Sequence, residues 1–449
     1  MRKGEIMLKI YGIKQVLNKK VFFILIVAIV FVCISELNNL KLEDFNNRST
    51  IGINHSINAI KFNEGLETIF LSYEKEGRDG KYVPYFNLAF KSAELAMENM
   101  KQGNYTEVYR YEMMVRILDL NLYSHLEQRE YIEPIARPIW EDISPDIEYP
   151  DNNGEEFDID RPSAIDTNDD FKYWLTHLQY LYTCYNLGIP YVEDHSANNM
   201  VFLYKIMDKT IPVSIILFIL LLTYDTVSEE HRIHISRNVL SQPFKRHTYL
   251  RKKIISNIVA IVPAIIITII LICIFAGIYT DSHSLKMPIL TTNNQWTEFY
   301  HNGMDIEKKQ DSKIFGSDNL GPTLVNKIDL VKKLFDKVVY ISFWQMIVTY
   351  FLEMILFIIF ILSITIYISA MTNKKSISMG VSVGFIGGLY LIYKYFPKIP
   401  NPLLALETRN IISGASNFTL LSLTLIQVAS ILIVVLVGSY LFNRKDISY

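Results

Sequence analysis

IISNIVAIVPAIIITIILICIFAGIY, residues 254–279, runs for 26 positions without a charged side chain. As a helix it spans about 39 Å at 1.5 Å per residue, enough to cross a hydrocarbon core of roughly 30 Å. A helix packed on the surface of a water-soluble domain keeps one polar face; this stretch has none. It reads as a transmembrane helix, and it has company. Residues 21–37, 201–224, 338–371, 377–396 and 420–442 are apolar runs of the same kind, which makes six expected spans. The fold class expected is therefore an all-α polytopic membrane protein. The composition agrees: 50% of the 449 residues are hydrophobic and the mean hydropathy is +0.19.

Several spans carry local instructions. Pro263 interrupts the hydrogen-bond ladder of the third, so packing by neighbouring helices is expected there. The fourth, residues 338–371, would be roughly 50 Å long as one helix, so its beginning must project beyond the lipid or tilt strongly. The first follows Lys14, Lys19 and Lys20 and is followed by Ser35-Glu36-Leu37-Asn38, which offers no small-x-small cleavage site. It reads as a retained signal-anchor. Within residues 1–20, Ile6–Val16 mixes apolar residues with Lys9 and Lys14, the pattern of an amphipathic helix lying on the inner membrane surface.

Loop charges orient the spans. Arg2, Lys3, Lys9, Lys14, Lys19 and Lys20 precede the first span, and seven Lys or Arg lie from Arg232 to Lys253. Lys374 and Lys375 separate spans four and five, and Arg444 and Lys445 begin the tail at 443–449. Six spans with both termini in the cytosol satisfy the positive-inside rule. The stretch from Asn38 to Thr210 then faces outward, and it carries 30 acidic against 16 basic residues. Helical spacing in Phe86–Met100, Tyr105–Gln128 and Phe171–Leu187 makes residues 38–200 an extracellular, mainly helical domain. Its interval Glu141–Asp170 holds twelve acids and one base and reads as an exposed loop. Residues 280–337 form a second outer segment, and 397–419 an extracellular or re-entrant loop. Cys33 and Cys273 fall inside apolar runs, so Cys184 stands alone in the outer domain and no internal disulfide is available there.

The segment between spans two and three, DTVSEEHRIHISRNVLSQPFKRHTYLRKK at 225–253, is the richest in polar signals. It resembles the corresponding segment of the ABC-2 type permease family, the membrane subunits of many bacterial ATP-binding cassette exporters. Glu230 stands at that family's acidic position, Val239-Leu240-Ser241-Gln242-Pro243 at its proline turn, Arg246 three residues on, and Lys253 at the entry to span three. His234-Ile235 replaces the usual Gly-Thr pair, and Lys245 replaces the serine before the arginine. The resemblance implies a cytosolic coupling segment docking into a motor, with Glu230, Arg237, Pro243 and Arg246 as ATPase-coupling residues. It also implies two copies of a partner ABC ATPase and a second permease subunit, identical or related, in the plasma membrane of a Gram-positive bacterium.

Other motifs point away from chemistry in this chain. No G-x-x-x-x-G-K-[ST] occurs, so ATP and magnesium belong to the partner ATPase, and no cofactor, catalytic residue or metal is expected here. His231 and His234 are spaced like metal ligands beside Glu230, but no further ligand is placed. Gly380-Val381-Ser382-Val383-Gly384 matches the nucleophile-elbow pattern, yet sits inside an apolar span rather than a strand-turn-helix. Gly380, Gly384 and Gly388 recur every four residues, the spacing of a smooth face for helix packing. Glu353 is a carboxylate within an apolar run; it reads as an interfacial or paired carboxylate near the outer edge of span four, or as a candidate for the translocation path. The acidic outer loop suits cationic peptides, and by analogy the substrate classes are antimicrobial or bacteriocin-like peptides and lipid-linked molecules. Membrane lipid is the surrounding partner, and nothing points to nucleic acid. A different class of function also fits: a membrane-anchored receptor or immunity protein that binds an extracellular ligand without moving it.

Overall fold

The computed structural model describes residues 26–42, 83–123, 126–150, 168–189, 199–208, 210–232, 246–279, 285–300, 338–414 and 416–444. The amphipathic segment expected within 1–20, the acidic residues 151–167 and the tail beyond 444 lie outside them. The described chain is mostly helical. Five stretches are long and apolar enough to cross a membrane: Thr210–Glu230, Thr248–Ile278, Phe343–Met371, Lys375–Tyr395 and Leu420–Arg444. An apolar helix α1 over residues 26–42 lies against the same bundle, burying Cys33, Leu37 and Leu40.

A polar unit comes next in the chain. Helices α2 (Val83–Gln102), α3 (Tyr105–Tyr123), α4 (Leu126–Ile143) and α5 (Asn168–Leu187) share a core of their own. Met113, Ile117 and Leu118 of α3, Ile132, Ala136 and Trp140 of α4, and Leu175, Leu178 and Leu181 of α5 fill it. Most of helix α4 lies outside the stretches read as helical from the sequence, and Pro134 and Pro138 inside it run against local helix propensity. Both prolines lie on its exposed face. The start of the supposed acidic loop is likewise anchored. Trp140 Nε1 donates to the Ile147 carbonyl at 2.8 Å, and the Tyr149 hydroxyl and Asn121 amide hydrogen-bond at 3.0 Å. Cys184 is buried and free, and burial pushes its thiol up to about 12, which leaves it unreactive near neutral pH.

One acid in this unit makes its stability depend on pH. Desolvation raises the half-buried Asp119 from 3.8 to about 6, with Arg116 opposing and Glu112 adding to the rise. The folded state thus holds this proton more tightly than the unfolded chain. Its stabilising contribution is complete below pH 3.8 and is lost as pH rises through about 6. Asp119→Asn abolishes that loss, so at pH 7.5 the variant should be more stable by roughly 1 kcal/mol, the full shift being discounted for solvent screening of a partly exposed group. Hydrogen exchange over 105–123 in the full-length protein checks this. Identical pH profiles for variant and wild type would refute it.

The membrane-type bundle departs from the expected spans in three places. The second span is broken: α6 (Asn199–Ile206) ends in a turn, and α7 (Thr210–Thr223) begins afresh before α8 (Ser228–Arg232). Pro212 gives the reason. It has no N–H to offer a carbonyl one turn back, but fits the first turn of a new helix. The third, α9 (Arg246–Tyr279), is 34 residues long and starts well before residue 254. Pro263 sits inside it on an exposed face, turned away from the bundle rather than packed as expected.

The excess length of the fourth span is a strand. Strand β1 (Pro288–Thr292) pairs antiparallel with β2 (Val338–Ser342), Pro288 opposite Ser342 and Thr292 opposite Val338. Helix α10 (Phe343–Met371) then starts at once, with Ser342 and Gln345 forming a capping box. Tyr340 of β2 packs on the polar unit, its ring 6.2 Å from that of Tyr180. Residues 301–337 of the second outer segment lie outside the described chain. Helix α11 (Lys375–Tyr395) follows, and the loop expected at 397–419 holds a 3-10 turn, Pro402–Glu407, and helix α12 (Thr408–Ile412). Both are packed: Leu403, Leu404, Ala405, Ile411 and Ile412 join the main core. Helix α13 (Leu420–Arg444) closes the bundle.

Helix α10 is the centre, in contact with α7, α9, α11 and α13. Phe343, Met346, Tyr350, Met354, Phe357 and Ile361 recur at three- and four-residue intervals and are nearly inaccessible. Glu353 touches Thr424 and Tyr367 faces Gly438, both pairs 71 positions apart. Helices α10 and α13 therefore run parallel in constant register for about four turns.

Candidate functional site

The ends of α7 and α9 meet where the sequence places its coupling segment. Glu230 of α8 is buried at 3% exposure and Lys253 of α9 at 5%, and their charged groups lie 2.5 Å apart. The Tyr249 hydroxyl donates to the other oxygen of the Glu230 carboxylate. Burying two charges costs several kcal/mol each, so close pairing with an added hydrogen bond is the arrangement that makes it tolerable. Lys253 and Tyr249 are four residues apart, so successive turns of α9 aim both groups at one carboxylate. Val227, Leu250, Ile254, Ile366 and Phe442 form an apolar cluster with Tyr249, the residue that donates to Glu230.

The same junction is bolted to α10 and α11. The backbone N–H groups of Val227 and Ser228 donate to Ser369 Oγ at 3.0 and 3.1 Å, and the Thr223 and Thr365 hydroxyls meet at 2.8 Å. Ser378 donates to the Tyr224 carbonyl, and Lys375 pairs with Glu229 at 2.6 Å. Small hydroxyl side chains let the backbones approach closely and satisfy the carbonyls and N–H groups that the turn at 224–227 frees. A force on either side of the segment would reach four helices through short polar contacts.

Of the four residues singled out from sequence, Glu230 is fully placed here. Arg246 opens α9, though its side chain lies outside the described residues, as do Arg237 and Pro243. Tyr249, Ser369 and Ser378 are partners that sequence reasoning missed. Tyr249 had a signal in its position, one turn before Lys253. Among the described residues no group of three or more His, Cys, Asp or Glu side chains could hold a metal. His234 lies outside them.

Gly380 and Gly384 are exposed, and a Cβ on either of them or on Gly388 would meet nothing within 4 Å. Among the described residues nothing packs on their face. Helix α11 turns Ser378, Ser382 and Ile386 inward instead. Among the described helical glycines the tightest approach is at Gly438, against Tyr367.

A second polar layer lies at the opposite end of the bundle, where α6 breaks. The Tyr350 hydroxyl donates to the Met207 carbonyl at 2.9 Å, filling a bond lost at the break. Arg409 of α12 pairs with Asp208 at 3.5 Å and lies 4.6 Å from the Tyr204 ring centroid. Tyr393 donates to Glu407 at 2.5 Å. Gln295 stitches the strand region to this cap, donating to the Ile411 carbonyl at 2.8 Å and accepting from Leu420 N at 3.0 Å. Glu353 is buried below the layer and accepts a hydrogen bond from Thr424. Arg409, missed from sequence, was visible as the one cation in 402–412, a stretch with Leu403, Leu404, Leu406, Ile411 and Ile412.

Comparison with protein-family models, with curated proteins and with solved structures finds no match for this chain.

Proposed function

We propose that this chain is the permease subunit of an ATP-binding cassette exporter of the ABC-2 type, powered by a separate ATPase. The observation that carries the reading is the buried Glu230–Lys253–Tyr249 clamp. It fixes both ends of the segment that resembles the family's coupling element, so that a push on 233–245 moves α7, α9, α10 and α11 together. In this reading α1 is the sixth span, both termini and residues 225–253 face the cytosol, and the polar unit 83–189 stands outside the cell. Two such subunits and two ATPase subunits enclose the path, and the exposed glycine face of α11 is available for the second permease. The acidic outer unit favours cationic peptides as cargo.

Two measurements test it. Affinity purification of the intact chain from its native membrane should bring down an ATPase subunit whose hydrolysis responds to cationic peptides. A cysteine replacing Arg246 should react with a membrane-impermeant maleimide only after the cells are permeabilised. Labelling in intact cells would overturn the orientation and the coupling role together. The receptor or immunity reading draws on a different observation, the independent core of the polar unit. It predicts ligand binding by the intact protein with no associated ATPase.

A further inference from the structure

We propose that Glu353, Thr424 and Gln427 form a binding site for one small monovalent cation inside the bundle. The three side chains lie in the wedge between α10, α13 and the 3-10 turn Pro402–Glu407, three elements in mutual contact. Glu353 is 3% exposed and Gln427 fully buried. Thr424 reaches Glu353 Oε1 at 2.5 Å and the Leu420 carbonyl at 2.8 Å, and its single hydrogen serves one of them at a time. Gln427 Nε2 donates to the Pro402 carbonyl at 2.5 Å. That bond fixes the amide orientation, because a flipped side chain would set two carbonyl oxygens against each other. Two buried oxygens then have no hydrogen-bond partner, Glu353 Oε2 and Gln427 Oε1. Thr424 and Gln427 are three residues apart on one face of α13, so the threonine that holds Glu353 and the glutamine that reaches Pro402 line neighbouring levels of the same wedge.

The wedge is therefore short of donors and of positive charge. Glu353 makes no ion pair among the described residues, and a buried carboxylate without a counter-charge costs several kcal/mol. A bound water would supply hydrogens to both oxygens but would leave the charge. A cation answers both deficits. One carboxylate sets its charge at +1, since a divalent ion would replace one buried excess charge by another. Carboxylate, amide and hydroxyl oxygens are hard ligands suited to an alkali ion, and the close burial restricts its size. Bound there, the ion would tie the 402–412 cap to α10 and α13 beside the broken helix. This inference goes beyond the exporter reading and stands without it, since it needs no ATPase.

The test uses the full-length protein in detergent micelles at fixed pH and ionic strength. Sodium or potassium chloride should raise the thermal midpoint over choline chloride in a saturable way. Binding of the effective ion, followed with radioactive sodium or rubidium, should saturate at one per chain. Glu353→Gln should abolish the cation response and the tracer binding. Gln427→Leu keeps the carboxylate while deleting one ligand, and should weaken tracer binding by about tenfold; it stands in if Glu353→Gln does not fold. Equal midpoints in all three salts without bound tracer would overturn the proposal, as would a response that survives in both variants. A midpoint that follows acidification alone, with no effect of alkali ions, would also overturn it, because a proton or water would then fill the wedge.

Discussion

Glu230→Ala is expected to destabilise the full-length protein by about 3–5 kcal/mol, because it removes the carboxylate that the buried Lys253 ammonium faces. Thermal unfolding in detergent should register this as a fall in midpoint far beyond that of an exposed acid such as Glu133. The paired replacement Glu230→Leu with Lys253→Met removes both charges and puts apolar volume in their place. It should recover most of the loss, since a buried pair and a well-packed apolar pair are of similar net stability. The double variant separates structure from coupling. If the clamp transmits motion, a stably folded double variant should still lose peptide-stimulated ATP hydrolysis in the complex. A double variant that folds and keeps full stimulation would reduce the clamp to a stability device and remove the main support for the exporter reading.

The second large effect is expected at Gly438. A Cβ built there comes within 2.5 Å of the Tyr367 ring carbons Cγ and Cδ1. The ring cannot swing aside freely, because its hydroxyl is 2.9 Å from Ser439 Oγ and 3.4 Å from the Val435 carbonyl. Gly438→Ala should therefore cost about 1–3 kcal/mol through overpacking. Gly438→Leu should separate α10 from α13 and sharply lower the yield of folded protein. Gly384→Ala supplies the contrast. Its Cβ meets nothing within 4 Å, so the midpoint of the isolated chain should move by less than about 0.5 kcal/mol equivalent. If Gly438→Ala proved as silent as Gly384→Ala, the close approach of the two helices would be wrong.

These glycines show where sequence reading reaches its limit. Gly380, Gly384 and Gly388 carry the recognised spacing, yet a Cβ on any of them meets nothing within 4 Å among the described residues, while the isolated Gly438 takes the close contact. In a bilayer the lipid is as apolar as the side chains. A helix hydrophobic all round therefore gives little sign of which face meets a neighbour. The broken second span had a readable cause in Pro212, but its apolar composition hid it. The helix through Pro134 and Pro138 opposed its local propensity, because packing of Ile132, Ala136 and Trp140 outweighed two prolines on an exposed face.

The sequence by itself determined that long apolar helices dominate this chain. Transfer into an apolar phase sums residue by residue along a segment, so uncharged stretches such as 254–279 declare themselves without knowledge of their neighbours. It also singled out Glu230 and Glu353, and noted Lys253 at the entry to span three. Only the tertiary structure decided their partners: Glu230 meets Lys253 and Tyr249, while Glu353 meets Thr424 and no cation among the described residues. Burial acts on a charge through whatever surrounds it in three dimensions, and residues 71 positions apart become neighbours only once two helices have packed.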